Sequence, residues 1–321
     1  MSLLTVVMYH YVREISRSRY PRIKGLELKL FVEQLEFFKE NFNVVTMEKV
    51  IEVNNGKGKL PDNAMLLTFD DGYAEHFTNV YPVLKKFGFQ GSFFVPVKAI
   101  KKHMLLDVNK IHFTLASITC TDDLVNDIKA DITLYKKEFI LKEFSDYFSQ
   151  LAIENRFDTK EVIFIKRILQ HALPEGLRNI LTSKYFAKYV GIEEEVFAKE
   201  LYMNENQLKQ LVRDGMHVGC HGYDHYWWNK LDKRSLSIEL NKSLEFLASL
   251  GCNMSQWTAC YPYGGSSELV VHELEKMDCN LAFTTEVQVV DTRNASKYLY
   301  PRFDTNDFPP KSTNYLNPVR A

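Results

Sequence analysis

The sequence predicts an α/β fold with parallel strands, and three observations carry that expectation. Apolar, β-branched runs of strand length recur at 3–9, 65–69 and 91–97. Between them, apolar residues repeat at helical spacing, and the strand-like runs stop abruptly in short polar or glycine-bearing clusters.

The first run, Leu3-Leu4-Thr5-Val6-Val7-Met8-Tyr9, reads as a buried parallel strand. A polar, arginine-rich loop follows over 13–24, then Phe31, Leu35, Phe38 and Phe42 recur at helical spacing, and Val44 and Val45 open a short second strand. Residues 65–69 form another buried strand running into Asp70-Asp71-Gly72; 78–87 read as a helix stopped by Gly88, and 91–97 as the next strand. From 100 to 205 charged residues crowd the periodic segments 122–132, 136–151 and 161–171, with Pro174-Glu175-Gly176 as a break. This reads as a helical insertion, dividing a barrel formed by 1–99 and 206–321. Residues 207–213 close a helix at Asp214-Gly215, and the strand 216–220 ends at His221. Residues 235–250 form an amphipathic helix stopped by Gly251, further strands are expected at 256–261 and 281–285, and the tail from 309 is irregular.

Composition narrows the function classes. The chain has 321 residues, 45% hydrophobic, which is enough for a large core. Forty Lys and Arg nearly balance 41 Asp and Glu, so overall charge points neither to nucleic acid nor to an anionic membrane. Five cysteines, scattered and without a CxxC pair, fit reduced thiols better than a disulfide framework or a cysteine zinc site. Residues 1–7 lack a basic leader and a cleavage site, and no run of about eighteen apolar residues occurs. The expectation is a cytoplasmic protein without a transmembrane segment.

Three separated pieces stand where strands end: Thr68-Phe69-Asp70-Asp71-Gly72-Tyr73, His221-Gly222-Tyr223-Asp224-His225 and Tyr261-Pro262-Tyr263-Gly264-Gly265. The carboxyl ends of parallel barrel strands form one face on which such groups converge. A carboxylate and two histidines suit Zn²⁺ or another divalent ion and leave positions open for water and substrate. His221 and His225 can face one point from a helical turn or a tight loop, although this spacing has many other uses. Asp70 and Asp71 adjoin, and two like charges in a cleft raise one pKa unless a cation takes the other. With Asp71 as a ligand, Asp70 is free to act as general base toward the attacking water. Asp-Asp-Gly is also ordinary turn chemistry, and the apolar strand running into it weighs toward a site.

The ordered set Leu67-Thr68-Phe69-Asp70-Asp71-Gly72-Tyr73, then His221 and His225 after a strand, then Tyr261-Pro262-Tyr263-Gly264, resembles the motifs of the polysaccharide-deacetylase family, carbohydrate esterase family four, with its NodB homology domain. The resemblance covers 5–99 and about 206–304, leaving the helical insertion unexplained. It implies a distorted (β/α) barrel of the NodB type, a divalent metal, Zn²⁺ foremost, and hydrolysis of an N-acetyl group on an amino sugar to free amine and acetate. It also implies that Asp70 is the base, that Asp71, His221 and His225 hold the metal, and that the backbone N–H of Tyr263 helps hold the oxyanion. Preorganised donors at that position would lower the energy of the charge growing on the acetyl oxygen.

Two departures from the motif set stand out. Cys260 occupies the place of the arginine that orients the catalytic aspartate; Arg302 looks like its substitute, the alternative being a surface arginine paired with Asp304 or Asp307. No histidine follows His272, although many relatives carry their general acid in a late Leu-x-His motif. In the branch that includes bacterial poly-N-acetylglucosamine deacetylases a Tyr-His pair ending the first strand supplies this acid, and Met8-Tyr9-His10 matches it. Histidine suits proton donation near neutral pH, the alternative for His10 being a hydrogen-bonded structural residue. His76, His103, His112, His171, His217 and His272 receive no role. Tyr223, Tyr226, Trp227 and Trp228 flank the metal histidines, where aromatic faces suit sugar stacking or core packing. The insertion can cap the site, mediate a homo-oligomer, dock another protein, or present solvated helix faces.

The expected function is therefore metal-dependent N-deacetylation of a saccharide: a polysaccharide, an oligosaccharide or a precursor in cell-surface polysaccharide biosynthesis. The alternatives are a saccharide-binding pseudoenzyme and a metal-dependent hydrolase of a non-sugar amide.

Overall fold

A computed structural model describes residues 3–154 and 158–317; residues 1, 2 and 318–321, at the two ends of the expected barrel segments, lie outside them. The chain begins with strand β1 (Leu3–Tyr9), helix α1 (Leu28–Asn41), strand β2 (Asn43–Val44), helix α2 (Met47–Asn54), strand β3 (Ala64–Asp70), helix α3 (Tyr81–Phe87), strand β4 (Ser92–Val95) and helix α4 (Val97–Lys102). A run of helices follows: α5 (Asp107–Ser117), α6 (Thr121–Phe139), α7 (Phe144–Leu151), α8 (Lys160–Arg167), α9 (Glu175–Tyr189), α10 (Glu194–Leu201) and α11 (Glu205–Arg213). Strand β5 (His217–Cys220), helix α12 (Lys233–Ser249), strand β6 (Ala259–Cys260), helix α13 (Glu268–Lys276) and strands β7 (Ala282–Phe283), β8 (Val290–Asp291) and β9 (Phe303–Asp304) follow, and the short segments Val12–Arg13 and Leu26–Glu27 pair separately.

Among the described residues nine strands form one sheet in the order β8-β1-β3-β4-β5-β6-β7, with β9 also on β1 and β2 also on β3. Every pairing is parallel except β8 with β1. The sheet curls on itself. Leu4 and Val6 of β1, Leu66 of β3, Phe94 of β4, Cys260 of β6 and Phe283 of β7 all belong to one buried cluster, which strands so far apart in the sheet can share only on a concave face. The architecture is thus a distorted (β/α) barrel, as the resemblance implies.

Alternation along β3 shows how this barrel positions chemistry. Ala64 and Leu66 lie in the interior cluster, and the same period of two brings Thr68 and then Asp70 to the inner face at the carboxyl end. Met47, Val50 and Ile51 of α2 join the cluster beside Leu4 and Ala64, closing the opposite end. Beyond β7, Thr284 N–H donates to the Tyr300 carbonyl (2.9 Å) and Tyr300 N–H to Ala282 (3.0 Å), while Val7 pairs with Phe303. The 300–304 segment therefore bridges the last strand and the first.

Several elements depart from the sequence expectation for local reasons. The helix expected at 78–87 begins as a π-turn, His76–Val80, where Tyr81 N–H reaches the His76 carbonyl; Pro82 follows with no N–H to give. The periodic segment 136–151 is two helices. Ile140 adopts φ 53° after α6 and Leu141 N–H closes back on the Lys136 carbonyl (3.1 Å), a left-handed stop built without glycine. Of the strand expected at 256–261 only Ala259–Cys260 pairs; Asn253 caps a 3₁₀ turn over Met254–Gln256. α13, β8 and β9 carry no expectation from the sequence.

Contacts divide the chain into two compact units: 1–14 with 25–103 and 199–321, and 15–24 with 104–198. Where the sequence suggests an insertion spanning 100–205, the second unit thus also takes in Ile15–Lys24. There the Tyr20 ring meets those of Phe113 (4.9 Å) and Phe197 (5.8 Å), and Arg22 donates to the Ala116 carbonyl. This unit has its own core around Phe164, Leu177, Leu181 and Tyr185. A repeating ladder joins α6 to α9: Asp131 accepts from Lys184 and Tyr185, and one turn earlier Asp127 accepts from Lys188 and Tyr189. Among the described residues no helix is long and apolar enough to cross a membrane.

Candidate active site

The carboxyl ends of β1, β3, β5 and β6 and the 300–304 segment converge on one small volume. Asp70 is the last residue of β3, and Asp71 turns out of the strand at φ 72°, so two adjacent carboxylates leave in different directions. His221 follows β5 directly and His225 lies four residues on, itself at φ 59°.

Asp71 Oδ1 lies 3.4 Å from His221 Nε2 and 3.2 Å from His225 Nε2, and the two Nε2 atoms are 3.2 Å apart. Three ligands about 2.0–2.1 Å from a tetrahedral ion would stand roughly 3.3–3.4 Å from one another, so this triangle has the size of one face of such a site. The surrounding bonds agree. His221 Nδ1 donates to the Cys260 carbonyl (2.8 Å), which turns its Nε2 toward the centre, and Asp71 Oδ2 is taken by the Tyr73 hydroxyl (2.6 Å). Asp71 Oδ1 is buried without a hydrogen-bond donor among the described residues. Acceptor atoms converge there, and a cation is what would satisfy them.

The charges respond accordingly. Burial opposes the ionised form of Asp71, but His221 and His225 hold its carboxyl well below the usual range. Against the same burial, Cys260 and Asp71 push His221 up, whereas burial pulls His225 down despite Asp71. The two imidazoles therefore do not hold a proton equally, as expected for neighbours competing for one positive charge.

Asp70 sits in a different environment. Arg302, 1% exposed, forms a two-pronged pair with it, Nη1 to Oδ1 at 2.9 Å and Nη2 to Oδ2 at 2.8 Å. The same guanidinium donates from Nε to the Thr284 carbonyl, from Nη1 to Thr68 Oγ1 and from Nη2 to Cys260 Sγ. Burial would raise the Asp70 carboxyl, but Arg302 brings it down to about 2, so it is ionised at neutral pH. Small Cys260 leaves room for this arginine, and the bridging 300–304 segment delivers it. Asp70, His221 and Cys260 also cluster closely enough to suggest a second metal group. Arg302 occupies both Asp70 oxygens and the sulfur, and its charge opposes a cation there.

His10 Nε2 stands 3.9 Å from Asp70 Oδ2 with its side chain 40% exposed, so it lies at the mouth beside the buried carboxylate. Its backbone carbonyl accepts from His76 Nε2 (2.7 Å). Tyr263 adopts φ 56°; its ring lies 4.8 Å from that of His225 and stacks on Trp227 at 4.8 Å with the planes 4° apart. Trp228 is fully buried, edge-on to Tyr261, and belongs to the core. The structure thus brings Asp70, Asp71, His221, His225, His10, Tyr263 and Arg302 into one neighbourhood.

Sequence reasoning assigned no role to Tyr73, Thr68, Thr284 or His76. Tyr73 was visible as the last residue of the Asp70-Asp71-Gly72-Tyr73 motif, and Thr68 follows from the period of two in β3. Thr284 and His76 act through contacts made by distant segments, for which a single sequence carries no signal.

Comparison with known proteins agrees with this geometry. The family model described as polysaccharide deacetylase matches residues 57–131 and 183–282, more than half of the chain. YxkH of Bacillus subtilis strain 168, named for the same family, is 29% identical over 106 residues, covering 32% of this chain and 36% of YxkH. The poly-beta-1,6-N-acetyl-D-glucosamine N-deacetylase of Escherichia coli strain K12 is 32% identical over 83 residues, 25% of this chain and 12% of that protein. The chain thus spans well under half the length of either relative. Among solved structures, the Streptococcus pyogenes deacetylase PplD in complex with acetate aligns over 99% of this chain and 98% of its own, with TM-score 0.59 and 14% identity. IcaB from Ammonifex degensii aligns over 98% and 96%, with TM-score 0.55 and 18% identity. At these identities the two structures show the shared fold, and the family match identifies the lineage: the chain belongs to the polysaccharide deacetylase family.

Proposed function

We propose that this protein hydrolyses the N-acetyl group of an amino sugar within a saccharide, using a divalent ion, Zn²⁺ foremost, held by Asp71, His221 and His225. The observation that carries the reading is the 3.2–3.4 Å triangle of donor atoms beside an aspartate locked by a buried arginine. Two imidazoles and one carboxylate leave coordination positions open, the hallmark of a catalytic rather than a structural site. When bound, the ion would polarise the acetyl carbonyl and make the attacking water more acidic.

The protein's own groups divide the remaining work. Asp70, ionised and fixed by Arg302, takes a proton from the water as its oxygen bonds to the acetyl carbon. The Tyr263 peptide stabilises the charge developing on the carbonyl oxygen. His10 gives a proton to the sugar nitrogen as the C–N bond breaks, releasing the free amine and acetate. The Trp227–Tyr263 stack offers an apolar face to a sugar ring. The poly-N-acetylglucosamine activity named for the Escherichia coli relative supports a polymer or oligomer of that sugar as the first substrate to try.

The test is acetate release from a panel of N-acetylated saccharides by Zn²⁺-loaded protein beside Asp70→Asn. Release lost in the variant, with Zn²⁺ retained, is the expected outcome. Binding of metal and saccharide without turnover of any panel member would favour a saccharide-binding protein instead.

A further inference from the structure

The two proposed metal histidines are not held alike. His221 has its ring fixed by the Nδ1 bond to the Cys260 carbonyl, the outer partner that most ligating histidines possess. His225 Nδ1, buried, has no hydrogen-bond partner among the described residues. The direction of its ring must come from elsewhere, and the backbone that carries it is unusual: Gly222 lies at φ 80° and His225 at φ 59°, a region that side chains other than glycine rarely adopt.

Both polar edges of that loop are occupied. On one side its carbonyls accept from α4, Val97 N–H to Gly222 (3.1 Å) and Lys98 N–H to Tyr223 (2.9 Å), with Lys98 also paired to the Asp224 carboxylate. On the other its amides donate to Glu239 of α12: Tyr223 N–H to Oε2 at 2.9 Å, and Asp224 N–H to Oε2 at 3.0 Å and Oε1 at 3.1 Å. Glu239 is 4% exposed and forms no ion pair with Lys or Arg among the described residues. Burial and the neighbouring Asp224 carboxylate push its carboxyl up to about 7, and the hydrogen bonds it accepts here come from the loop amides. The approach is close enough that a Cβ on Gly222 would stand 3.1 Å from Glu239 Oε2.

We propose that Glu239 is a positioning residue, which clamps the 222–225 loop so that His225, lacking a ring partner, presents Nε2 to the centre shared with Asp71 and His221. The proposal rests on the metal reading above and deepens it. α4 and α12 grip opposite edges of the loop, so withdrawing one grip lets the left-handed turn at His225 relax. Asp71 and His221 would then remain as an incomplete pair of ligands.

The experiment compares wild type with Glu239→Asp, which keeps the carboxyl group but withdraws it by one methylene, and Glu239→Gln, which keeps the reach and one carbonyl acceptor. Zn²⁺ affinity is measured by competition with a chromophoric chelator, the geometry by the visible spectrum of Co²⁺-loaded protein, and folding by circular dichroism and thermal melting of the chelated proteins. The expected result is Zn²⁺ affinity about 10- to 100-fold weaker in the aspartate variant, the loss typical of removing an outer partner, with an altered Co²⁺ spectrum and substantial rescue in the glutamine variant. A residue that merely supports the fold would lower the melting temperature of the chelated protein and leave affinity and spectrum unchanged; that result in folded Glu239→Asp overturns the proposal. Failure of wild type itself to bind Zn²⁺ or Co²⁺ would instead overturn the metal reading beneath it.

Discussion

Arg302 shows how one side chain can fill a position from a remote part of the chain. Its planar fork meets both oxygens of Asp70 and leaves further donors for Thr284, Thr68 and Cys260. Lysine would keep the charge but not the two-pronged geometry. Arg302→Lys is therefore expected to lower kcat by about 100-fold, the loss that goes with a misplacement of about 1 Å, with KM nearly unchanged. Steady-state kinetics on the saccharide found by acetate release would check this, and a variant within twofold of wild type would remove Arg302 from the machinery. Arg302→Leu should instead cost roughly 3–5 kcal/mol in urea denaturation, because it leaves the Asp70 carboxylate buried and alone. The grouping of Asp71, His221 and His225 was legible in the sequence because Asp71 and His221 directly follow strands, His225 lies four residues on, and the set resembles the motifs of a known family. Arg302 could be reached only through the arginine missing at Cys260, and Glu239 not at all, since a glutamate inside a helix looks like any solvated residue until packing buries it.

At the scale of elements, the ladder between α6 and α9 separates a buried rung from a half-buried one. Asp131 is 3% exposed and takes both Lys184 and the hydroxyl of buried Tyr185, whereas Asp127, its side chain 28% exposed, takes Lys188 and the hydroxyl of the partly buried Tyr189. Asp131→Ala leaves a buried hydroxyl unpaired and should destabilise the protein by about 1–3 kcal/mol. Asp127→Ala at the outer rung should cost about 0–1 kcal/mol. Urea unfolding of the two variants makes the comparison, and equal losses would show that burial does not govern the ladder. The long strands β1 and β3 were legible from apolar runs alone, since strands covered on both faces read as continuous hydrophobic stretches, whereas the two-residue strands β8 and β9 were not. The stop at Ile140 and the π-turn at His76 were not. Ile140 holds a left-handed conformation with no glycine to announce it, and Pro82 lies well inside a pattern that otherwise reads as helix.

For the whole molecule, the three proposed ligands tie together segments 150 residues apart in sequence, Asp71 after β3 and His221 with His225 after β5. An unfolded chain does not hold these donors 3.2–3.4 Å apart, so an ion that binds them favours the folded state by mass action. At free Zn²⁺ of 100 times Kd the gain is about 2.7 kcal/mol, and stripping the ion with a chelator should remove it. The effect should also be local. None of the donors belongs to the unit containing residues 104–198, which has its own apolar core and its own ladder. Hydrogen exchange followed with and without Zn²⁺ should therefore slow at the amides of β3 and β5 and stay unchanged at those of α6 and α9. In His225→Ala, which removes one corner of the triangle, the Zn²⁺-dependent protection of β3 and β5 should vanish. Protection that persists in that variant would mean the ion binds elsewhere, and a chelator with no effect on wild type would mean that these three side chains are not a metal site.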